Sequence, residues 1–431
     1  MAPKSYLSLI LMWRSLTSHT VAYTPLTANP ELSFDMLWIF AWGYPVDIKG
    51  GPRDIVGVSV CVRIGVPREI KDQEGRVGIT PGGVHELVDA GHTVLIEARA
   101  GEGSGISDRD YERRGARITP AAADAWDAEM VMKVKEPLGE EYRYLHPGQI
   151  VFTYLHLAAA PELTEALLKS RSLAIAYETV QLADGELPLL TPMSEVAGRM
   201  AIQEGAFYLK ETAGGKGTLL GGVTGVAPAN VVIIGGGVVG THASKVATGM
   251  GAQVTVLERS PRRMAYLDDV LHGRAMAIMS NPVTIEQAVA YADLLVGAVL
   301  IPGARAPRLV TEAMVRTMKP GSVIVDVAVD QGGCIETTEP TTHSHPIVLK
   351  YDVLHYGVTN MPGALPRTST YALTNATIRY ALAIAGKGWR RAALEDPALA
   401  HGVNTAEGHL THPAVAEANE LPYTPLEKLL R

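Results

Sequence analysis

Residues 229 to 258 form a unit that few folds accommodate. Val231 to Ile234 is a short continuous β-branched run, the pattern of a strand buried on both faces of a parallel sheet. It runs into Gly235-x-Gly237-x-x-Gly240, and Val238 to Met250 then reads as a helix closing at Gly251. A second apolar strand, Val254 to Leu257, ends on the acid Glu258, about 20 residues beyond the glycines. Gly235 suits the tight turn, Gly237 lets backbone approach a pyrophosphate, and Gly240 lets helix and strand pack closely. The phosphates would rest on N–H groups at the helix start, around Val238, where the dipole favours negative charge. Glu258 would accept hydrogen bonds from a ribose diol. A glycine triplet alone also marks ordinary strand-to-helix turns; the complete strand–glycine–helix–strand–acid unit points to a dinucleotide site.

At 431 residues the chain is long enough for two domains with substantial cores. A net charge of -7 leaves no basic stripe for a nucleic acid. Two cysteines, Cys61 and Cys334, cannot build a disulfide framework or a four-ligand zinc site, so a reducing compartment fits. No run approaches the ~18 apolar residues of a membrane span. Residues 1–61 differ in texture, with apolar clusters at Tyr6 to Trp13 and Met36 to Trp42 and little periodicity. Arg14 cuts the first cluster, which argues against a secretory signal. A disordered extension or a translation start called too far upstream remains, and the abrupt first strand at Val62 favours the latter.

From Val62 the pattern is α/β. Val62 to Pro67 reads as a strand and Arg68 to Val77 as a polar loop, with Thr80-Pro81 opening a helix through Ala90. Strands are expected at His92 to Glu97, Met130 to Val134, Ile150 to Leu155 and Leu173 to Tyr177, with helices between them. Lys133, Lys135 and His156 then fall near strand carboxyl ends, where open α/β sheets collect ligands. A long helix runs from Thr191 to about Thr212, with Ser194 near its start. After Glu258 the alternation continues through Leu294 to Val299 and Ser322 to Val327, and from Ser369 onward the pattern reads as helical.

Among polar candidates, Arg76 lies in an acidic loop, where arginines commonly pair with a neighbouring carboxylate. Lys135 at a strand tip either snorkels to solvent or meets a partner. His156 directly follows a strand, and histidine is the side chain suited to proton transfer near neutrality, although core histidines are common. Asp330 lies just beyond a strand end, and Asp326 suits a structural cap. His343, His345, Asp352 and His355 lack a regular ligand spacing, so no metal is assigned. No Gly-x-Ser-x-Gly elbow or Cys/His pairing supports covalent nucleophilic catalysis.

Several longer motifs carry more information. Arg63-Ile-Gly-Val-Pro-Arg-Glu, Glu74-Gly-Arg76-Val-Gly-Ile-Thr-Pro81, Lys133-Val-Lys-Glu-Pro137 and Phe152-Thr-Tyr-Leu-His156-Leu-Ala resemble bacterial alanine dehydrogenases. So do Pro192-Met-Ser-Glu-Val-Ala-Gly198, Asp326 through Cys334, Asn360-Met-Pro-Gly and Thr368 through Ala376. The resemblance runs from about Val62 to the C-terminus. It implies two Rossmann-like doubly wound parallel-sheet domains, the NAD-binding one inserted into the substrate domain. Residues 62–188 and 367–431 would form the substrate domain and 189–366 the NAD-binding domain. It also implies a cytosolic homohexamer interconverting L-alanine with pyruvate and ammonium, with NAD as cofactor. By the same resemblance Arg76 and Lys135 bind substrate, while His156 and Asp330 are the acid/base pair. The cofactor contacts it implies are Ser194, Glu258, Arg263, Ser280, Val299, Leu300, Val327, Ala328, Val329, Asp330, Val358, Thr359, Asn360 and Met361.

Physical chemistry fits this set. Arg76 offers a planar fork for a 2-oxo acid carboxylate, and Lys135 a compact charge near the developing carbonyl or imine oxygen. Glu258 stands where the family usually carries Asp; it still repels a 2′-phosphate, although Arg259 and a basic turn follow. Three rival readings are the NAD-binding subunit of a proton-translocating transhydrogenase, a saccharopine-type dehydrogenase and a non-catalytic NAD-binding regulator.

Overall fold

The computed structural model describes residues 61–299, 306–329 and 332–430. The N-terminal stretch read above as an extension lies outside these residues, apart from Cys61. The first sheet is fed by a strand–helix alternation: β1 (Arg63–Val66), α1 (Pro81–Asp89), β2 (Thr93–Glu97), α2 (Asp108–Glu112), β3 (Arg117–Thr119) and α3 (Ala122–Trp126). It continues with β4 (Met130–Met132), β5 (Ile150–Thr153), α4 (Pro161–Ser170) and β6 (Leu173–Ala176). These six strands run parallel to one another, as in β1 on β2 (Ile64 opposite Val94) and β4 on β5 (Val131 opposite Val151). Thr80 caps α1 through its hydroxyl, and Pro81 stands in its first turn.

After α5 (Thr191–Tyr208) the second sheet begins with β7 (Asn230–Ile234), α6 (Val238–Gly249), β8 (Gln253–Glu258), α7 (Pro261–Leu271), β9 (Ala275–Met279) and α8 (Pro282–Tyr291). It is completed by β10 (Leu294–Gly297), α9 (Glu312–Val315), β11 (Val323–Asp326), β12 (Ile347–Lys350) and β13 (Val353–Tyr356). The strand order is β12-β13-β11-β10-β7-β8-β9, with β12 an antiparallel edge. The reversal of direction beside β7 makes a crevice at its carboxyl end.

The C-terminal stretch is not helical throughout. After α10 (Pro366–Lys387), α11 (Trp389–Glu395) and α12 (Pro397–Gly402) come β14 (Val403–Ala406) and β15 (His409–Leu410), ahead of α13 (Pro413–Ala418). β14 pairs antiparallel with β6, so the first sheet runs β15-β14-β6-β5-β4-β1-β2-β3.

Both sheets bury two faces. In β7 all of Val231, Val232, Ile233 and Ile234 are fully buried. Val231 and Ile233 join one core while Val232 and Ile234 join the core on the other face. Each such side chain contributes about 1.5–3 kcal/mol of burial, which explains why an apolar run without alternation forms this strand. Helix α5 belongs to two cores: Met193 and Val196 pack with the first sheet, Met200, Ala201 and Ile202 with the second. Gly198 makes this possible, because a Cβ there would strike the backbone of Val239 at the start of α6.

Candidate functional site

The glycine turn after β7 is shaped for a phosphate-bearing ligand. Gly235 has φ +99°, a conformation that favours glycine. A Cβ on Gly240 would collide with the Gly235 carbonyl oxygen, whereas one on Gly237 would meet nothing within 4 Å. Gly237 therefore faces open space at the start of α6, a helix whose first turn has no side-chain cap. Beside it lies a cavity of about 490 Å³, lined among others by Glu195, Val238, Thr241, His242 and Arg263. Uncapped N–H groups, open space and a helix N-terminus fit a pyrophosphate.

Glu258 ends β8 with its carboxylate turned onto this loop. Oε2 accepts from Gly236 N at 2.7 Å, and Oε1 from Arg259 N and Ser260 N at 2.7 and 2.8 Å. Arg263 reaches back from α7, its Nε donating to Gly236 O at 2.5 Å and its Nη2 to Thr241 Oγ1 at 2.7 Å. Its guanidinium also lies over the Tyr266 ring, 4.3 Å from the centroid. Ser280 follows β9 and donates its N–H to Glu258 O at 2.9 Å.

The remaining expected contacts lie along the carboxyl edge of the second sheet. Ser194 is in the first turn of α5, and Val299 packs beside Gly235, two residues beyond β10. Val327, Ala328 and Val329 follow β11; Val358, Thr359, Asn360 and Met361 follow β13. Leu300 and Asp330 lie outside the described residues. Asp326 has a structural role: it accepts from Ala328 N, Cys334 N and Ile335 N at 3.0–3.1 Å and so pins both ends of the segment containing Asp330. Burial pushes its carboxyl up to about 6, with those three N–H groups pulling the other way.

The charged groups of the first sheet are mostly sunk. Arg76 is 2% exposed. Its Nε and Nη2 donate to Glu74 at 2.7 and 2.5 Å, Nη2 also donates to Asn360 Oδ1 at 2.7 Å, and Nη1 faces Met193 Sδ at 3.2 Å. The fork expected to grip substrate is therefore filled by Glu74, because a buried guanidinium needs a counter-ion. Nη1, opposed only by a weak thioether acceptor, is the donor most easily surrendered to a ligand. Burial raises the Glu74 carboxyl, but the Arg76 hydrogen bonds and charge prevail and bring it down to about 2.

Lys135 is 8% exposed, just past β4. Its N–H and that of Val134 are held by Glu69 Oε1 at 3.3 and 2.6 Å, and its carbonyl accepts from Thr153 Oγ1 at 3.0 Å. Lys133 is fully buried between Glu69 and Glu141, at 3.1 and 2.8 Å, so of this pair it is the structural one.

His156 follows β5 in the left-handed region, φ +52°. Its N–H donates to Glu178 Oε1 at 2.7 Å, and its exposed ring lies parallel to Tyr154, centroids 6.0 Å apart. His156 thus rests against Tyr154, and the Glu136 carboxyl, although raised by burial, is drawn below its ordinary range by the Lys71 hydrogen bond and the Lys135 charge. Glu69, Glu74, Tyr154 and Met193 were not singled out from the sequence. Only Glu74, two residues before Arg76, carried a local signal. His355 hydrogen-bonds Thr337 and the Val353 carbonyl, at 2.8 and 2.9 Å. Among the described residues no three His, Cys, Asp or Glu side chains converge as a metal site, and no helix is long and apolar enough to cross a membrane.

Comparison with known proteins places these features. Residues 65–197 match the model of the alanine dehydrogenase/PNT N-terminal domain, and residues 201–413 that of the C-terminal domain. The chain is 60% identical over 369 residues to an alanine dehydrogenase of Methanococcus maripaludis, covering 85% of this chain and 99% of that one. It is 57% identical over 371 residues to an alanine dehydrogenase of Staphylococcus haemolyticus, covering 86% and 100%. A solved L-alanine dehydrogenase superposes with a TM-score of 0.80 at 55% identity, over 83% of this chain and 98% of the other. A transhydrogenase from Sinorhizobium meliloti gives 0.70 at 26% identity, over 82% and 99%. The chain belongs to the alanine dehydrogenase/PNT family, and within it sits with the alanine dehydrogenases.

Proposed function

We propose that this protein is an NAD-dependent alanine dehydrogenase that interconverts L-alanine and water with pyruvate and ammonium. The observation that carries the reading is the Arg76–Asn360 hydrogen bond. It joins a buried cation of the first sheet to the loop beyond β13, on the same sheet edge as the glycine turn. A small carboxylate held at Arg76 then lies beside the ring end of a dinucleotide seated on α6. When bound, the nicotinamide supplies the hydride acceptor or donor.

The chain's own groups do the rest. Arg76 Nη1 holds the carboxylate, and Lys135 neutralises charge on the carbonyl or imine oxygen. His156 removes and returns protons as water adds to the imine and ammonia leaves, a task worth about 10²–10⁴ in rate. Asp330 is assigned the partner role on sequence grounds. NAD is favoured over NADP, because Glu258 repels a 2′-phosphate and Arg263 is already committed to Gly236 and Thr241.

We assign residues 62–188 and 367–431 to substrate and 189–366 to cofactor, a division supported by β14 and β15 joining the first sheet. A cytosolic homohexamer completes the reading. The test is NADH oxidation by the purified protein with pyruvate and ammonium. Oxidation with 2-oxoglutarate and lysine instead, hydride transfer between nucleotides without pyruvate, or no oxidation at all would each overturn it.

A further inference from the structure

We infer that Glu69 is a positioning residue: it clamps the strand end that carries Lys135 to the loop that carries Arg76, and so sets the spacing of the two cations that receive a 2-oxo acid. The inference rests on the proposed function and deepens it. Glu69 lies just past β1, and Lys135 just past the neighbouring strand β4. Glu69 Oε1 accepts from the N–H groups of Val134 and Lys135 at 2.6 and 3.3 Å, and its Oε2 lies 3.1 Å from Lys133 Nζ. Backbone donors this deep need an acceptor. The β1–β4 ladder has ended before Val134, and the Glu69 side chain, 2% exposed, takes the place of a strand partner.

The loop from Glu69 to Gly78, with Arg76 inside it, meets the end of β4 twice more. Lys71 Nζ pairs with Glu136 Oε1 at 2.6 Å. A Cβ on Gly78 would strike the Met132 carbonyl oxygen, so the loop closes tightly over β4 just beyond Arg76. The segment that bears Lys135 is also held from its other end. Lys133 donates to Glu141 Oε1 at 2.8 Å, and Glu141 Oε2 accepts from Leu138 N at 2.9 Å. Arg76 and Lys135 therefore belong to one braced unit, in which Glu69 holds the backbone of Lys135 directly.

Two buried carboxylates, Glu69 and Glu141, share the single ammonium of Lys133. Burial pushes the Glu69 carboxyl up, and Lys133 and the Val134 N–H pull it down less strongly. A clamp that needed a full negative charge would be poorly served by this environment. An oxygen acceptor is enough for the two N–H groups, and an amide supplies one as well as a carboxylate does. The clamp and the ion pair can thus be separated by substitution.

The test is steady-state amination of pyruvate by the full-length protein, at saturating NADH and ammonium, together with fluorescence titration by NADH alone. Glu69→Ala should lower kcat/KM for pyruvate about 10²-fold, the cost of displacing a group at the reacting centre by about an ångström. Most of that loss should be a rise in KM, whereas a merely structural role would leave fewer folded molecules and an unchanged KM. The NADH dissociation constant should stay within about twofold of the wild type, as for a site remote from the change. Glu69→Gln keeps the acceptor and should recover most of the loss. If Glu69→Ala does not fold, Glu69→Ala combined with Lys133→Met removes the stranded ammonium, and pyruvate KM should still be raised. The inference is overturned if the folded Ala variant keeps the wild-type KM, if it weakens NADH as much as pyruvate, or if Glu69→Gln loses as much as Glu69→Ala. A wild type that binds NADH but does not consume it with pyruvate and ammonium would instead overturn the proposed function.

Discussion

The two halves of the candidate site are built from different materials. Around the glycine turn the ligand-facing groups are backbone N–H groups and empty space, with Glu258 and Arg263 bracing the loop from either side. Around Arg76 they are charged side chains taken out of water and matched one against another: Arg76 with Glu74, Lys133 with Glu69 and Glu141. Backbone architecture tolerates loss of one side chain, because no single group carries the binding. A buried charge network does not, because each deletion strands a partner.

The largest expected effect breaks the comparison on the side-chain half. His156→Ala should lower kcat by about 10²–10⁴ while leaving NADH binding, measured by fluorescence, intact; near wild-type turnover would remove His156 from the mechanism. Glu74→Gln should cost about 3–5 kcal/mol of stability in urea unfolding, since Arg76 would be left buried beside a neutral partner. Gly240→Ala should cost less, about 1–3 kcal/mol of overpacking, and weaken NADH at least as much as it weakens pyruvate. If it spared NADH binding, the glycine turn would not be the nucleotide seat. Glu258→Ala should have the smallest consequence, a shift of about tenfold toward NADP in relative kcat/KM, with little change in thermal stability.

Acid and base sharpen the contrast, because one carboxylate from each half is perturbed in opposite directions. Glu74 is depressed to about 2, so its contribution is present above the unfolded carboxylate range and is lost as pH falls from about 4.5 toward 2. Asp326 is raised to about 6, so its contribution is complete below about 3.8 and is lost as pH rises through 6. The stability difference between wild type and Glu74→Gln should therefore shrink with acidification. That between wild type and Asp326→Asn should shrink as the pH is raised from 4 to 7. Parallel slopes in urea midpoints would contradict the two environments described.

What could be read from the chain follows the same division. The unit from Val231 to Glu258 was legible because turn, helix start and strand each impose a residue type at a fixed spacing. The strands Ile347–Lys350 and Val353–Tyr356 were not. They are joined at Tyr351-Asp352, both in the left-handed region at φ +55° and +57°, without the Asn-Gly pair that normally announces such a turn. The same holds for β14 and β15, whose turn at Glu407-Gly408 was hidden in a stretch that otherwise reads as helix. In the site, Arg76, Lys135 and His156 could be named from motifs. The contact of Asn360 with residues 284 and 286 positions earlier could not, since spacing carries no information about distant hydrogen bonds.

Helix α5 acts as a ruler between the two halves. Its 18 residues anchor one end in each core, so inserting or deleting one residue would turn the far end by about 100° and shift it by about 1.5 Å. Met200 to Ile202 would then swing away from the second sheet while Met193 stayed beneath Arg76. Length variation is therefore forbidden inside this helix and confined to the loops that flank it, however freely its exposed positions change.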